Sequence, residues 1–205
     1  MKFAYADPPY FGYGGFYKDH PEWAECDTIE WHQALIFKLE TEYSDGWALS
    51  CTTGNLFDLL PLFSKRPRIA AWVKPFASFK PGVNPAYTWE PVIFSGGRKR
   101  DKTHRTVKDH LACNITLKKG LTGAKPVGVC EWILELLGFQ EGDTIDDLFP
   151  GTGVMTKVAG GNMGGFYSTE TSDLFMGANL ENTLEKDVKI MIEASLAGDF
   201  TREDL

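Results

Sequence analysis

The sequence lacks the run of about eighteen apolar residues that a membrane-spanning helix requires. It also lacks paired cysteines, since the four that it has are Cys26, Cys51, Cys113 and Cys130. Scattered thiols of this kind are typical of a reducing compartment and argue against a structural zinc site. Lys2 leads directly into a strand-like segment, which leaves no room for a cleavable leader. We therefore expect a cytoplasmic protein with no membrane span and no metal.

Basic charge is also scarce. The chain has 21 Lys and Arg residues against 28 Asp and Glu, which gives a net charge of −7. A protein that coats nucleic acid would be basic, so any contact with a polyanion must be local here. One basic cluster fits that role, and it comprises Arg98, Lys99, Arg100, Lys102, Arg105 and Lys108. It predicts either a solvated loop or, slightly favoured by its isolation, a segment that contacts phosphates without reading sequence.

Strand and helix patterns alternate along the chain, which predicts a mostly parallel central sheet with helices on both faces. We expect strands over residues 3–6, 47–52, 69–73, 90–94, 144–148 and 166–169, with 90–94 at a sheet edge. The helices are expected over residues 27–43, 55–64, 125–137, 154–159 and 174–184. Asp27 and Glu30 form a capping-box-like start to the first helix, and Gly138 suits the end of the third. The length of 205 residues, 43% of them hydrophobic, predicts a single α/β domain over 1–205.

The first informative stretch follows the first strand and reads Asp7-Pro8-Pro9-Tyr10. Asp7 offers acceptor oxygens, and Pro8 offers a carbonyl while contributing no N–H of its own. Both prolines fix φ, so these acceptors are held in a set geometry beside the flat face of Tyr10. Such a rim suits an exocyclic amino group on a stacked planar base, although a rigid turn would also explain it. The glycines and aromatics of residues 11–17 predict a lid over a planar substrate, or else a surface loop held by its rings.

The second informative stretch is a glycine turn between the strand predicted over 144–148 and the next helix. It comprises Asp147, Phe149, Pro150, Gly151, Thr152 and Gly153. Glycines let a ligand approach the backbone, and the start of a helix leaves N–H groups free, so this turn is typical of a cofactor cradle. No Gly-Lys-Ser/Thr follows, which excludes a Walker loop, and the Gly-x-Gly-x-x-Gly of dehydrogenases is absent. Glu170 follows the next predicted strand, where an acidic residue binds a ribose diol.

Together these stretches resemble the motifs of amino-group DNA methyltransferases, which methylate adenine N6 or cytosine N4. Asp7-Pro8-Pro9-Tyr10 resembles the catalytic motif, and the turn from Asp147 to Gly153 resembles the S-adenosylmethionine (SAM) motif Asp-Pro-Phe-x-Gly-Ser-Gly. Ala124-Lys125-Pro126 resembles the Lys-Pro motif that flanks the methionine end of SAM, and Glu170 stands where that family has its ribose-binding acid. The catalytic motif comes first, which is the permuted order of the β group. Over about residues 3–180, the resemblance implies a Rossmann-like SAM methyltransferase fold in which the strands carrying Asp7 and Asp147 are neighbours.

The resemblance implies a DNA methyltransferase that transfers a methyl group from SAM to an exocyclic amino group, with adenine N6 favoured by Asp at position 7. Asp7 and the Pro8 carbonyl would align the amino nitrogen, and Tyr10 would stack on a base that is flipped from a duplex or taken single-stranded. Residues 75–124 form a short insert for substrate recognition, so specificity is expected to be low or supplied by a second copy or a partner protein. A cytosine-N4 enzyme, an RNA methyltransferase and an inactive cofactor-binding subunit remain alternatives.

Overall fold

The computed structural model describes residues 1–17, 23–76, 82–115 and 124–160. Glu170, the strand predicted over 166–169 and the helix predicted over 174–184 lie outside these residues. Within them the chain forms a mixed α/β structure around one sheet, as the alternating pattern predicts.

Six strands form the sheet in the described part of the chain. They are β1 (Lys2–Ala6), β2 (Gly46–Ser50), β3 (Arg68–Val73), β4 (Trp89–Gly96), β5 (His110–Ala112) and β6 (Thr144–Asp147). Their order across the sheet is β5-β3-β4-β2-β1-β6. Strand β4 runs antiparallel to both of its neighbours, and every other pairing is parallel. The predicted mostly parallel sheet is therefore confirmed.

Strands β1 and β6 are parallel neighbours whose carboxyl ends lie together. Tyr5 pairs with Asp147, and the N–H of Leu148 donates to the Tyr5 carbonyl at 2.9 Å. Because all strands except β4 end on this side, we call it the carboxyl edge of the sheet and the opposite side the amino edge. The residues that follow β1 and β6 emerge together at the carboxyl edge. The expected adjacency of the strands carrying Asp7 and Asp147 is confirmed.

Helices pack on both faces of the sheet, as the sequence predicts. They are α1 (Trp23–Cys26), α2 (Ile29–Glu42), α3 (Leu56–Leu59), α4 (Val127–Leu137) and α5 (Val154–Val158). Helices α2 and α3 contribute to one buried apolar cluster, and α4 and α5 contribute to the other. Strand β1 serves both clusters because successive side chains point to opposite faces. Ala4 and Ala6 face α2, whereas Phe3 and Tyr5 face α4.

Strand β4 lies inside the sheet, so the edge position predicted for residues 90–94 is wrong. Pro91 is tolerated because its backbone faces the end of β2, where its carbonyl accepts from the N–H of Cys51 at 3.3 Å. The N–H and C=O of a residue point to the same side of a strand, so the missing N–H of Pro91 would also have faced β2. Because β2 ends at Ser50, the lost hydrogen bond would only have extended the β2–β4 pairing beyond the end of β2. Strand β5 was not predicted, and its three residues pair with β3.

The first long helix begins after a different cap from the one predicted. The hydroxyl of Thr28 accepts from the Trp31 N–H at 3.3 Å and so caps α2. Asp27 instead accepts from the N–H groups of Gly12 and Gly14, at 2.7 and 3.1 Å. The predicted cap therefore holds the loop that follows the Asp7–Tyr10 rim.

Gly138 ends α4 as predicted. Its φ of 70° lies in the left-handed region, and its N–H donates to the Glu135 carbonyl at 3.1 Å. A Cβ at this position would lie 2.8 Å from the Cβ of Arg98. The close approach of these two backbones requires glycine here, in addition to the positive φ.

Residues 75–124, predicted to be a recognition insert, contribute β4 and β5 to the central sheet. Their part in recognising a substrate stays a prediction. None of the helices in the described residues is both long and apolar enough to cross a membrane. The same residues contain no group of three or more His, Cys, Asp or Glu side chains arranged to hold a metal ion.

Candidate active site

The predicted catalytic rim begins directly after β1, at the carboxyl edge. Pro8 and Pro9 are buried, and Asp7 and Tyr10 are half-buried beside them. A hydrogen bond of 2.8 Å from the Tyr13 N–H to the Tyr10 carbonyl closes the turn. The Tyr10 hydroxyl donates to Oδ1 of Asp7 at 3.2 Å. The rim therefore directs a carboxylate and a phenol toward the same space.

The side chain of Lys125 reaches this rim from the segment that leads into α4. Its ammonium lies 2.9 Å from Oδ1 of Asp7 and 3.2 Å from Oε2 of Glu90, and it donates to the Tyr10 hydroxyl at 2.8 Å. Only 9% of the Lys125 side chain is exposed. Three acceptors match the three N–H bonds of the ammonium, so this charged group is fully hydrogen-bonded although it is buried. Ala124, the preceding residue of the same predicted motif, is half-buried.

Glu90 and Lys74 are candidate functional residues that the sequence analysis missed. The Glu90 carboxylate accepts from Lys74, and its Oε2 lies 3.3 Å from the Tyr10 hydroxyl, whose single proton bonds either this oxygen or Oδ1 of Asp7. Because β4 is antiparallel, its first residues lie at the carboxyl edge beside the last residues of β3. Lys74 follows the end of one strand pattern and Glu90 begins the next, and each stands directly before a proline, in Lys74-Pro75 and Glu90-Pro91. That shared pattern is the signal in the sequence that could have identified them.

Opposite charges determine the protonation of this buried network. Burial raises the pKa of Asp7, and the Lys125 ammonium offsets only part of that shift. Burial would also raise the pKa of Glu90, but Lys125 and Lys74 outweigh it and lower the pKa below its usual value. Burial alone would lower the pKa of Lys125, whereas Asp7 and Glu90 raise it above its usual value. The lysine is therefore charged, Glu90 is ionised, and Tyr10 keeps its proton because burial raises its pKa.

The glycine turn opens at the same edge, after β6. The structure brings together all six predicted residues of the turn: Asp147, Phe149, Pro150, Gly151, Thr152 and Gly153. The N–H of Gly153 donates to the Pro150 carbonyl at 2.6 Å. Gly151 and Gly153 have φ values of 48° and 68°, and a Cβ on Gly153 would meet no atom within 4 Å. The backbone of the turn is therefore open to a ligand.

Asp147 is the least compensated carboxylate at this edge. Its Oδ1 is buried and has no hydrogen-bond partner among the residues that the structure describes. Burial, with a further contribution from the charge of Asp7, raises the pKa of Asp147 to about 7, although the Phe149 N–H opposes the shift. A buried carboxylate oxygen without a partner favours a cationic ligand group.

Aromatic contacts connect the glycine turn with the loop after the rim. The ring of Phe149 lies 5.8 Å from that of Trp31, which lies 5.0 Å from the His32 ring. His32 in turn lies 5.9 Å from Phe11, and burial lowers its pKa to about 4, so it packs as a neutral ring. The Phe11 carbonyl accepts from Nδ2 of Asn55 at 2.8 Å. The predicted lid is thus fixed at its start, while its action as a lid stays a prediction.

The predicted phosphate-contacting residues come directly after β4, which ends at the amino edge of the sheet. They are Arg98, Lys99, Arg100, Lys102 and Arg105. Arg98 donates to both carboxylate oxygens of Asp143, at 2.8 and 2.7 Å. Arg100 donates to the Glu135 carbonyl, and Arg105 pairs with the Glu135 carboxylate. The structure therefore does not bring Arg98 and Arg100 to the Asp7 rim, and contact of the cluster with nucleic acid stays a prediction.

Comparison with known proteins finds no matching family model and no matching curated protein. Among solved structures, M1.HpyAVI in complex with SAM is 13% identical over 78% of this chain and 78% of that chain, with a TM-score of 0.54. M1.HpyAVI alone is 13% identical over 78% and 75%, with a TM-score of 0.49. TTHA0409, a proposed DNA modification methylase from Thermus thermophilus, is 16% identical over 77% and 75%, with a TM-score of 0.49. The match to the M1.HpyAVI–SAM complex confirms that this chain has the Rossmann-like fold of methyltransferases.

Proposed function

We propose that this protein is a SAM-dependent methyltransferase that methylates the exocyclic amino group of a nucleic-acid base, with adenine N6 of DNA as the preferred target. The observation that carries the proposal is the parallel pairing of β1 with β6, which places the Asp7–Tyr10 rim and the glycine turn at the same edge of the sheet. Methyl transfer to an amino group requires acceptors that orient that group beside the cofactor, and this edge supplies both parts.

The residues at the end of β6 fit SAM. The cofactor carries positive charge on its sulfonium and its ammonium, and Asp147 offers a buried oxygen with no partner in the described residues. The open backbone at Gly151 and Gly153 lets such a ligand approach closely. M1.HpyAVI, whose fold this chain shares, binds SAM. When bound, SAM supplies an electrophilic methyl group, Asp147 holds positive charge, and Glu170, outside the described residues, is proposed to bind the ribose.

In the proposed reaction, Asp7 and the Pro8 carbonyl orient the target amino group. The contacts of Asp7 with Lys125 and Tyr10 both use Oδ1, which leaves Oδ2 for the substrate. Each acceptor takes one N–H of the target, so the nitrogen lone pair is directed away from the rim toward the cofactor. The raised pKa of Asp7 suits a carboxylate that takes up the proton released by the methylated nitrogen.

Lys125 and Glu90 are proposed to position Asp7 rather than to contact the methyl group. The Lys125 ammonium joins the two carboxylates, and Lys74 holds the other side of Glu90. Fixing Asp7 in this way reduces the motion that methyl transfer would otherwise have to restrict. Tyr10, whose hydroxyl is held by the same network, is proposed to stack on the target base.

Two alternatives keep the same site, namely methylation of cytosine N4 and methylation of RNA. The inactive cofactor-binding subunit is less well supported, because Asp7 and Tyr10 are both present and in contact. Target recognition is proposed to be limited, or to be supplied by a second copy of the chain or a partner protein.

The test is incubation with tritiated SAM and matched DNA and RNA oligonucleotides, single-stranded and duplex, followed by digestion and mass analysis of the nucleosides. We expect N6-methyladenine from DNA. Methylated cytosine, or a product from RNA alone, would change the substrate and keep the reaction. Binding of SAM without a methylated product from any of these nucleic acids would overturn the proposal.

A further inference from the structure

A cavity of about 440 Å³ lies at the amino edge of the sheet, away from the proposed crevice. Four arginines line it, Arg66, Arg68, Arg98 and Arg100, and none of the described residues in its lining is acidic. The chain as a whole carries a net charge of −7, so the cavity concentrates positive charge in a protein that is acidic overall. The volume lies in the range of small-molecule sites, about 300–1,000 Å³.

The length of β3 separates this cavity from the rim. Arg68 begins β3, whereas Val73 ends it, directly before the Lys74 that binds Glu90. Five residues of strand span about 17 Å at roughly 3.3 Å per residue. A ligand in the cavity therefore does not occupy the space beside Asp7.

The four arginines divide into two pairs. Arg98 is committed to Asp143, and Arg100 donates to the Glu135 carbonyl of α4, so these two form the wall. Arg66 is exposed and has no ion pair among the described residues. Arg68 is also exposed.

Arg68 is held only loosely by the protein itself. Its guanidinium carbon lies 5.1 Å from the centre of the buried Phe94 ring, which orients the group. Its one ion pair in the described residues, to Asp109, is long at 3.8 Å, and both side chains are more than half exposed. Arg66 and Arg68 are therefore available to an anion.

We propose that this four-arginine cavity binds phosphate groups. Planar guanidinium groups match phosphate oxygens in bidentate pairs, and the Phe94 ring already orients that of Arg68. The phosphates can come from the backbone of a nucleic acid or from a free nucleotide, and the chemistry is the same. Exposed lysines beside the arginines in the sequence, Lys65 and Lys99, extend the positive surface and favour the nucleic-acid backbone. The inference does not rest on the proposed methyl transfer.

The test uses the double variant Arg66→Gln/Arg68→Gln of the full chain. The matched control is Lys38→Gln/Lys157→Gln, which removes two charges from α2 and α5. Pyrophosphate at constant ionic strength is expected to raise the melting temperature of the wild type and of the control, but not that of the arginine variant. Labelled DNA of about 30 nucleotides is then titrated over a range of salt concentrations. The slope of log K against log salt is expected to fall by about 1.4–1.8 in the arginine variant, because two phosphate contacts are lost.

The outcomes distinguish a nucleic-acid backbone from a free nucleotide as the source of the phosphates. They also distinguish a failure of the phosphate site from a failure of the proposed methyl transfer. Loss of both effects assigns the cavity to the nucleic-acid backbone, and loss of the pyrophosphate effect alone assigns it to a free nucleotide. If pyrophosphate and DNA act equally on all three proteins, the cavity is not a phosphate site. Methyl transfer to a short oligonucleotide is expected to be unchanged in the arginine variant, so a failure of the proposed reaction would be seen in the wild type and would leave this result intact.

Discussion

The two ends of β6 carry two aspartates that the protein treats in opposite ways. At the amino edge, Asp143 accepts from the Met1 amino group, from Arg98 and from the Gln140 N–H, at 2.7, 2.7 and 2.8 Å. Burial would raise the pKa of Asp143, but these bonds lower it to about 2. At the carboxyl edge, Asp147 has an oxygen without a partner in the described residues, and its pKa is raised to about 7.

This difference separates a structural carboxylate from one that is suited to a ligand. Buried polar groups in folded proteins are almost always hydrogen-bonded, so a saturated carboxylate such as Asp143 stabilises the fold. A buried carboxylate that the described residues leave unsaturated destabilises the fold unless something else binds it, and such groups are frequent at functional sites. The carboxyl edge holds Asp147 in this state beside the ion-paired network of Asp7, Glu90 and Lys125.

The largest expected effect comes from Asp7→Asn, which keeps the shape of the rim and removes its charge. We expect methyl transfer to fall by about 10³-fold or more, because the oriented acceptor of the target amino group is lost. The affinity for SAM should change by less than about threefold, since SAM is assigned to the other strand. Single-turnover transfer and calorimetric binding measure the two quantities. An equal loss of both would contradict this division of roles.

The second expected effect concerns stability. Lys125→Met leaves the carboxylates of Asp7 and Glu90 buried without their shared cation, so the free energy of unfolding should fall by about 3–5 kcal/mol. Lys157→Met, at an exposed position of α5, removes the same charge and should change it by less than about 0.5 kcal/mol. Urea denaturation at pH 7 gives both values. If Lys125→Met lowers the free energy of unfolding no more than the control does, the network of Asp7, Glu90 and Lys125 is not stabilising.

The third prediction removes the charge of Asp143 at the amino edge. Asp143→Asn should lower the free energy of unfolding at pH 7 by about 1–3 kcal/mol and leave SAM affinity unchanged. The folded pKa of Asp143 is depressed to about 2, so its contribution is present at neutral pH and is lost as the pH falls from about 4 to about 2. The wild type and the variant should therefore converge over that range in urea denaturation. A difference at pH 2 as large as that at pH 7 would contradict the assignment to the charge of Asp143.

The smallest expected effect concerns the pH dependence of SAM binding at Asp147. The wild type should bind SAM more weakly as the pH falls below about 7, because Asp147 must lose a proton to hold a cation. Asp147→Asn should weaken binding at pH 8 by about tenfold and remove this pH dependence. Calorimetry across pH 6–8 measures both.

The same variant should be more stable than the wild type when no ligand is bound. The raised pKa of folded Asp147 destabilises the wild type increasingly from about pH 4 to about pH 7, and asparagine removes that cost. The melting temperature of Asp147→Asn should therefore exceed that of the wild type by a few degrees at pH 8, and the two should agree below pH 4. A lower melting temperature at pH 8 would contradict the account of Asp147 as an uncompensated carboxylate.

The sequence predicts the parts of the fold that depend on local signals. The apolar run before Asp7, the glycine turn after Asp147 and the glycine that ends α4 each lie where their local chemistry requires them. Strand β5 has only three residues, too few for a periodic pattern, and was therefore missed. Pro91 indicates an edge strand only when its missing N–H would interrupt a ladder, and here the neighbouring strand has already ended.

The site was only half predictable for a different reason. The rim and the glycine turn are each a continuous stretch of sequence, so both can be recognised in one dimension. The network around Lys125 joins residues 35 and 115 positions apart along the chain. Only the antiparallel course of β4 brings Glu90 to the carboxyl edge, and no local pattern specifies that direction.

The central claim is that the rim and the glycine turn serve one reaction, and a crystal structure of the protein with SAM bound tests it most directly. The account predicts that the ammonium or sulfonium of SAM lies at Asp147 and that the methyl carbon faces the Asp7 rim. The space between that carbon and the rim should admit an amino nitrogen at about 3–3.5 Å. A SAM molecule bound away from the turn, or with its methyl group directed away from Asp7, would contradict the account.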